Sequence, residues 1–174
     1  MKKKIIIMLV FISLIRNAQA QDGNISVETF INISKTSSLS TVSNYMNNLN
    51  YTLQYVKKDN EFKNSKDISW SYNMSYMKGI DKWICPQMGN FSYFKILFIN
   101  DKLESFMYGF NDRKIYNSFQ KNLSRYGYVK YEEKIDLETN SIILYYMNTQ
   151  ENSIIGLQEM VEKSDIPFII SYIK

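Results

Sequence analysis

The clearest hydrophobic pattern of the chain lies between residues 68 and 76. Large apolar side chains alternate there with serine or asparagine, which gives a period of two over nine residues. Because successive side chains of a β-strand point to opposite faces, this period predicts one strand with one buried face. The apolar members of the pattern are Ile68, Trp70, Tyr72, Met74 and Tyr76.

A different spacing, with apolar residues three or four positions apart, predicts two helices. The first helix begins after Ser38 or Ser40, since serine is a favourable N-cap at either position. The preceding residues 26–33 fit either a short helix or an extended lead-in, and the pattern leaves both open. The apolar face of the first helix comprises Leu39, Val42, Met46 and Leu49.

The second predicted helix has well-marked ends. Asp112 is suited to cap its N-terminus, Lys121 and Arg125 complement the helix dipole near its C-terminus, and Gly127 ends it. Its apolar face comprises Ile115, Phe119, Leu123 and Tyr126.

Aromatic and β-branched residues predict strands in most of the remaining chain. The polar turn Asn100-Asp101-Lys102 joins two of them, and so short a link predicts an antiparallel hairpin. The polar tract from Lys57 to Lys66 is expected to form a loop. These further strands cover residues 51–56, 83–85, 91–99, 103–110, 128–135, 141–147, 153–160 and 167–173.

Two parts of the chain repeat the same order of elements. "VSNYMNNLN" followed by "YTLQYVKK", and "IYNSFQKNLSRYGYVKYEEK", each run from an amphipathic helix into a tyrosine-rich strand that ends in lysine. We therefore predict an α+β fold with a tandem repeat of a helix followed by antiparallel strands, the helices packed on one sheet face. The half-repeats span about residues 25–110 and 111–174, within a single domain of residues 21–174.

The N-terminus has the three parts of a cleavable signal peptide. Three lysines precede an apolar run from Ile5 to Ile15, and Ala18 and Ala20 supply the small residues of a cleavage site. The run is shorter than the ~20 residues that a membrane-spanning helix needs. Residues 1–20 are therefore predicted to direct export to the periplasm or beyond and then to be removed, leaving no stable membrane insertion.

Removal of this leader changes the charge of the protein. Four of the 21 basic residues lie in residues 1–20 and none of the 17 acidic residues does, so 17 of each remain and the net charge is zero. Binding to nucleic acid needs clustered basic residues, and the exported part offers only short doublets such as Lys57-Lys58. We expect no nucleic-acid partner.

The composition also limits the catalytic chemistry. The chain has no histidine, which excludes histidine-dependent triads and the commonest metal ligand, so no cofactor or metal is expected. Cys85 is the only cysteine, and its apolar neighbours favour burial. The densest acidic group, Glu132, Glu133, Asp136 and Glu138, falls on a strand and a turn, where solvated charges are the simpler interpretation.

Aromatic residues are the remaining candidates for a binding surface. Trp70, Tyr72, Tyr76 and the following Trp83 are the first choice for an aromatic sheet face that contacts a protein or a glycan. Packing in the core is the competing interpretation, because a sheet covered by helices needs a large apolar interior.

In its leader ending Ala-Gln-Ala-Gln, its Ile/Asn/Lys/Tyr-rich composition and the segment "IYNSFQKNLSRYGY", the chain resembles small exported proteins of flavobacteria and other Bacteroidetes. The resemblance implies a Gram-negative exported protein and assigns no active-site residue. The tandem layout is also similar to that of the β-lactamase inhibitor protein group, as an analogy of architecture alone.

These observations together predict a non-enzymatic binding or interaction module that meets an unknown protein or glycan in the cell envelope or outside the cell. An inhibitor or immunity-type protein that blocks one macromolecule is the alternative, and a carboxylate-dependent hydrolase is a third. A monomer is expected, with the oligomeric state left open.

Overall fold

The structure is a computed structural model that describes residues 23–36, 38–59, 64–77, 82–86 and 89–174. The predicted leader, including Ala18 and Ala20 of its cleavage site, lies outside these residues. Within them, no helix has both the length and the apolar character needed to cross a membrane.

The two N-terminal helices begin at serine N-caps. Helix α1 spans Val27–Ser34, and the Ser26 side chain accepts a hydrogen bond from the backbone N–H of Thr29 at 3.1 Å. Helix α2 spans Leu39–Asn48 with Ser38 as its N-cap. Residues 26–33, for which the sequence allowed a helix or an extended lead-in, are therefore mainly helical, and the N-cap of α2 is Ser38 and not Ser40. In each cap the serine oxygen accepts a hydrogen bond from an N–H group that has no partner inside its helix.

Helix α3 has the predicted ends and one local change. It spans Arg113–Asn122, and the Asp112 carboxylate accepts a hydrogen bond from the Lys114 backbone N–H at 2.8 Å. The last turn, Leu123–Tyr126, is a 3₁₀ helix, and Gly127 ends it with φ of 82°. Glycine takes this left-handed conformation without the steric cost that a side chain brings.

Eight strands form one antiparallel sheet, in the order β1-β2-β5-β6-β10-β9-β8-β7, and β3 and β4 form a separate hairpin. The predicted α+β class is confirmed. The sheet consists of two sets of four strands, β1-β2-β5-β6 and β7-β8-β9-β10, and within each set neighbouring strands come in chain order. The two sets meet where β6 pairs with β10. The strands are β1 Thr52–Asp59, β2 Ser65–Tyr72, β3 Ser75–Met77, β4 Lys82–Ile84, β5 Ser92–Ile99, β6 Lys102–Phe110, β7 Val129–Asp136, β8 Ser141–Asn148, β9 Ser153–Met160 and β10 Phe168–Ile173.

The predicted hairpin between β5 and β6 is present. Asn100 and Asp101 have φ values of 52° and 59°, and Ile99 pairs with Lys102 across the turn. Positive φ at both central residues is the requirement of a type I′ turn, and asparagine and aspartate tolerate it better than other side chains.

Two sequence predictions need correction. The strand predicted from Ile68 to Tyr76 breaks at Asn73, whose φ is 52°, and the Ser71 hydroxyl donates to the Met74 carbonyl at 2.7 Å across the bend. Of the tract from Lys57 to Lys66, residues 57–59 and 65–66 are strand, since β1 extends to residue 59 and β2 begins at residue 65, and residues 60–63 lie outside the described residues. The strand was predicted too long because the alternation of apolar and polar residues continues past the bend at Asn73. The charged residues at the end of β1 predicted a loop, although a strand at the edge of a sheet tolerates charged side chains.

The main core joins α1, α2, α3 and one set of alternating sheet residues. The Phe30 ring of α1 lies 4.6 Å from the Phe106 ring of β6 and 5.2 Å from the Phe119 ring of α3, measured between centroids. Tyr116 of α3 packs in the same way on Phe168 of β10, at 5.0 Å. The sheet contributes Ile68, Trp70, Phe94, Ile96, Phe106, Tyr108, Leu144, Ile155, Leu157, Ile170 and Tyr172.

Candidate functional site

The sheet side chains that alternate with the core residues form a second surface, which we call the open face. Cross-strand pairs run across it from Lys95 to Met107, Ser171, Gly156 and Tyr145. None of these residues belongs to the main core cluster. The open face further comprises Asp67 and Ser69 of β2, Leu97 of β5, Ser105 of β6, Ile173 of β10, Ile154 of β9 and Ile143 and Met147 of β8.

The open face is unusually apolar for the second side of an antiparallel sheet. The solvent side of such a sheet normally carries polar residues. Here Leu97, Met107 and Ile154 are half-buried side chains, and Ile173 is 50% exposed. Large apolar areas on protein surfaces are typical of contacts with other molecules, so the open face is a candidate binding surface.

A trough of about 310 Å³ lies in the open face. Ser105 and Ser171 line it with Leu97, Met107 and Ile173, and Asp67 and Lys95 line it on the β2 side. The two serines are short residues on adjoining strands, whereas their neighbours Leu97, Met107 and Ile173 are long. The difference in side-chain length explains the depression.

Lys95 and Asp67 form an ion pair at the side of the trough. Their Nζ and Oδ2 atoms are 2.9 Å apart, and both side chains remain partly exposed. Partial burial lowers the pKa of Lys95, but the hydrogen bond and charge of Asp67, together with a hydrogen bond to Tyr55, outweigh burial and raise it above its ordinary value. Lys95 therefore carries a positive charge at neutral pH.

Three buried oxygen atoms of β2 have no hydrogen-bond partner among the described residues. They are Oγ of Ser65, Oδ1 of Asp67 and Oγ of Ser69, on three alternating residues that point to the open face. An unsatisfied buried polar group costs about 1–3 kcal/mol, so a native structure that keeps one calls for an explanation. The Asp67 carboxylate thus has one oxygen bound to Lys95 and one able to accept a further hydrogen bond.

An aromatic stack borders the open face next to the trough. The β3–β4 hairpin brings Tyr76 and Trp83 together, with ring centroids 5.1 Å apart, and Trp83 stacks on Tyr93 of β5 at 5.5 Å and 14°. The Tyr93 ring lies across Gly109, where an added Cβ would come within 2.2 Å of it. The Tyr93 hydroxyl donates to the Met107 sulfur at 3.4 Å, so the stack is tied to the trough lining.

The aromatic residues predicted to share one binding face are divided between two environments. Trp70 is only 2% exposed and lies in the main core, and Tyr72 packs against the same core. Tyr76 and Trp83 lie instead in the hairpin stack, because the bend at Asn73 separates β3 from β2. Cys85 is partly buried beside the same stack.

The acidic group of the second half does not converge on one point. Glu133 of β7 pairs with Lys130 of the same strand at 2.6 Å. Asp136 accepts hydrogen bonds from the backbone N–H groups of Glu138 and Thr139 in the turn that follows. The side-chain hydrogen bond with Thr139, followed by these backbone bonds, lowers the pKa of Asp136. Glu133 and Asp136 therefore bind separate local partners.

The residues of the trough were not predicted from the sequence. Lys95 is an isolated charge within the strongly apolar strand β5, and that contrast was an available signal, whereas Asp67 follows Lys66 in a strand with three serines. Ser105 and Ser171 carry no signal of their own, since serine is frequent throughout the chain. Their proximity depends on the pairing of β6 with β10 from opposite halves of the chain.

Comparison of the chain with protein-family models, curated proteins and solved structures gave no match. The open face is therefore assigned a role on its geometry and chemistry alone.

Proposed function

We propose that this chain is an exported, non-enzymatic binding protein that docks a protein partner on its open face. The observation that carries the proposal is the band of half-buried apolar side chains across β5, β6, β10, β9 and β8, where an antiparallel sheet normally presents polar residues. The band includes Met107 and Met147, whose flexible side chains adapt well to another protein surface.

The trough defines what the partner presents. A cavity of about 310 Å³ accommodates one or two side chains of a protruding loop. Its rim is apolar at Leu97, Met107 and Ile173, while the ion pair of Asp67 and Lys95 lines it on the β2 side. The best-matched segment has apolar residues around one polar or charged side chain that contacts this ion pair.

The order of strands in the sheet supports the tandem repeat expected from the sequence, and with it a duplicated origin for this surface. We infer that residues 25–110 and 111–174 are two copies of one unit, because each half contributes four antiparallel strands to the sheet in chain order, with the β3–β4 hairpin inserted between β2 and β5 of the first half. Their last strands, β6 and β10, pair with each other, and the trough lies over this junction. Helix packing on the opposite face leaves the open face available in both halves.

The test compares two matched serine substitutions. Ser105→Leu fills the trough, whereas Ser118→Leu places the same side chain on the exposed surface of α3. Each variant, expressed as the full chain and purified after export, is immobilised and exposed to envelope extract and culture medium. We expect at least one protein whose retention falls about tenfold with Ser105→Leu and is unchanged with Ser118→Leu.

Equal retention by both variants would contradict the assignment of the trough. Retention of a polysaccharide fraction, lost in Ser105→Leu and with no protein captured, would replace the protein partner by a glycan. Circular dichroism of each variant before the capture step verifies that folding is intact.

An inhibitor or immunity-type protein is the second candidate and would use the same rigid sheet surface. It is distinguished by the fate of a captured enzyme, whose activity is lost in the complex and recovered with Ser105→Leu. The carboxylate-dependent hydrolase has less support, since Asp67 is the one carboxylate that lines the trough within the described residues.

A further inference from the structure

The β3–β4 hairpin packs on the same side of the sheet as the open face. Its Tyr76 ring lies on Tyr55 of β1, with centroids 4.8 Å apart, and its Trp83 ring stacks on Tyr93 of β5. The Gln54 side chain accepts a hydrogen bond from the Tyr76 backbone N–H at 3.2 Å. Tyr93 keeps only 8% of its surface exposed under this contact. In the first half of the chain, therefore, an aromatic hairpin covers part of the open side of the sheet.

The strands under this hairpin have counterparts in the second half. The hydroxyl oxygens of Tyr51 and Ser92 lie 2.5 Å apart in the first half, and those of Tyr128 and Ser153 lie 2.9 Å apart in the second. Each serine begins its strand, β5 or β9. Strands β1 and β7 each contain a bulge three residues after that tyrosine. These features support the tandem repeat inferred above and align β1 with β7 and β5 with β9.

This alignment identifies the second-half residues at the positions of Tyr55 and Tyr93. Ile154 occupies the position of Tyr93, since each directly follows the serine that begins its strand. Glu132 occupies the position of Tyr55, since each directly follows the bulge of its edge strand. An aliphatic side chain therefore replaces one of the two tyrosines that support the hairpin, and a carboxylate replaces the other.

A neighbouring cross-strand pair extends the correspondence. Val129 pairs with Met147 in the second half as Thr52 pairs with Ser71 in the first. Thr52 and Ser71 line a depression together with residues of β3 and β4, so the hairpin reaches this pair as well. The second half thus has larger apolar side chains where the first half has threonine and serine.

The second half has no hairpin on this side of the sheet. Within residues 111–174, all of which the structure describes, residues 149–152 alone join β8 to β9. Cross-strand pairs connect Val129, Met147, Ile154 and Ile173 in one row, and Val129 is 68% exposed and Ile173 50% exposed. We call this apolar surface the seat, and it comprises Val129, Tyr131, Tyr145, Met147, Ile154 and Ile173.

We propose that the seat binds a β-hairpin of a partner protein, placed as β3–β4 is placed on the first half. The row crosses four strands, about 14 Å, which suits a two-stranded hairpin with its side chains better than a single side chain. The bound hairpin carries an aromatic side chain over Ile154 and a basic side chain beside the Glu132 carboxylate. The inference rests on the proposed function, because the seat is part of the open face.

The probe is a backbone-cyclised peptide in which tight turns join the strands Ser-Lys-Met and Lys-Trp-Ile. These are the sequences of β3 and β4 with lysine in place of Tyr76. Cyclisation offsets the marginal stability of an isolated hairpin. Binding to the purified exported chain is followed by the NMR shifts of its methyl groups. We expect shifts at Val129, Met147 and Ile154 and none at Val161.

Two matched substitutions locate the binding. Val129 and Val161 are 68% and 60% exposed, and Val161 follows the end of β9 that is distant from Ile154. Val129→Lys should raise the dissociation constant of the peptide about tenfold or more, and Val161→Lys, which adds the same charge, should leave it unchanged. Glu132→Gln should raise it about threefold. A control peptide with serine in place of tryptophan should bind at least about tenfold more weakly.

Absence of methyl shifts at the seat with millimolar tryptophan peptide would overturn the proposal. So would equal weakening by the two valine substitutions, or equal binding of the serine peptide, because the contact would then depend on charge or on another surface. An affinity unchanged by Glu132→Gln would contradict the basic side chain of the partner hairpin.

The titration needs no envelope protein, so its outcome is separate from that of the trough experiment. If a protein is retained in a Ser105-dependent manner but the peptide does not bind, the proposed function stands and the hairpin inference fails. If the peptide binds the seat but no such protein is retained, the seat stands and the proposed role of the trough fails.

Discussion

Tyr108 is fully buried, and its hydroxyl group accepts a hydrogen bond from the Ile25 backbone N–H at 3.2 Å. Tyr51 donates from its own hydroxyl to the Gly23 carbonyl at 2.7 Å. At Gly23 an added Cβ would come within 2.1 Å of the Tyr72 ring, and φ is +59°, so glycine is required on two counts. At the scale of single residues, buried tyrosine hydroxyls thus attach the segment before α1 to the sheet.

These buried tyrosines predict alkaline sensitivity. Burial raises the pKa of Tyr108 from 10.0 to about 12, and burial raises that of Tyr93 to about 12 as well. The folded state therefore holds protons that the unfolded state releases above pH 10, so this contribution to stability is complete below that pH and is lost as pH rises towards 12.

We expect the free energy of unfolding, measured in urea, to fall progressively through that range, together with delayed ionisation seen in the ultraviolet absorbance of tyrosinate. In Tyr108→Phe the fall should be smaller, because one of the shifted groups is removed. A free energy of unfolding independent of pH in this range would contradict the burial of these hydroxyl groups.

At the scale of elements, local capping groups determine where the helices begin. The N-cap residues of α1, α2 and α3 are Ser26, Ser38 and Asp112, and the side chain of each accepts a backbone hydrogen bond. The Phe119 ring on α3 is fully buried against Phe30, so the start of α3 is coupled to the core. Weakening a cap is therefore expected to affect global stability.

Asp112→Ala removes the carboxylate that binds the Lys114 N–H, and we expect it to lower the free energy of unfolding by about 1 kcal/mol. Asp112→Asn keeps a side-chain oxygen that can accept the same hydrogen bond and should be close to the unmodified chain. Urea denaturation of both variants measures the difference. Equal losses in the two variants would assign the effect to charge and not to capping.

At the scale of the whole molecule, the two halves of the chain share one sheet and one core. Strand β6 of the first half pairs with β10 of the second over six residues, and Phe110 and Phe168 pack together with ring centroids 5.7 Å apart. Phe30 of the first half likewise contacts Phe119 of the second. If one half unfolded alone, the apolar side chains that it buries against the other half would become exposed to water, at a cost in free energy.

We therefore expect the halves to unfold in one transition. Both tryptophans, Trp70 and Trp83, lie in the first half, so tryptophan fluorescence reports on that half while far-ultraviolet circular dichroism reports on the whole chain. The two signals should give coincident urea transitions. Phe30→Ala, which creates a cavity between the halves at a cost of about 3–5 kcal/mol, should shift both signals together. Separate midpoints would indicate two independent units.

The sequence by itself determined the local structure of this protein. Caps, the positive-φ asparagine turn at Asn100 and the positions of the strands follow from forces that act within a few residues, such as capping hydrogen bonds and the alternation of side chains along a strand. Even the errors were local in origin, since the bend at Asn73 was hidden because alternation continued past it.

Only the tertiary structure decided how these elements combine into a candidate site. The trough brings Asp67 and Lys95 of the first half beside Ser171 of the second, and β7 lies at an edge because β6 and β10 pair at the centre. Strand order joins residues far apart along the chain, and it depends on how whole apolar faces are buried together. A side-chain pattern read along one strand contains no record of which strand lies beside it.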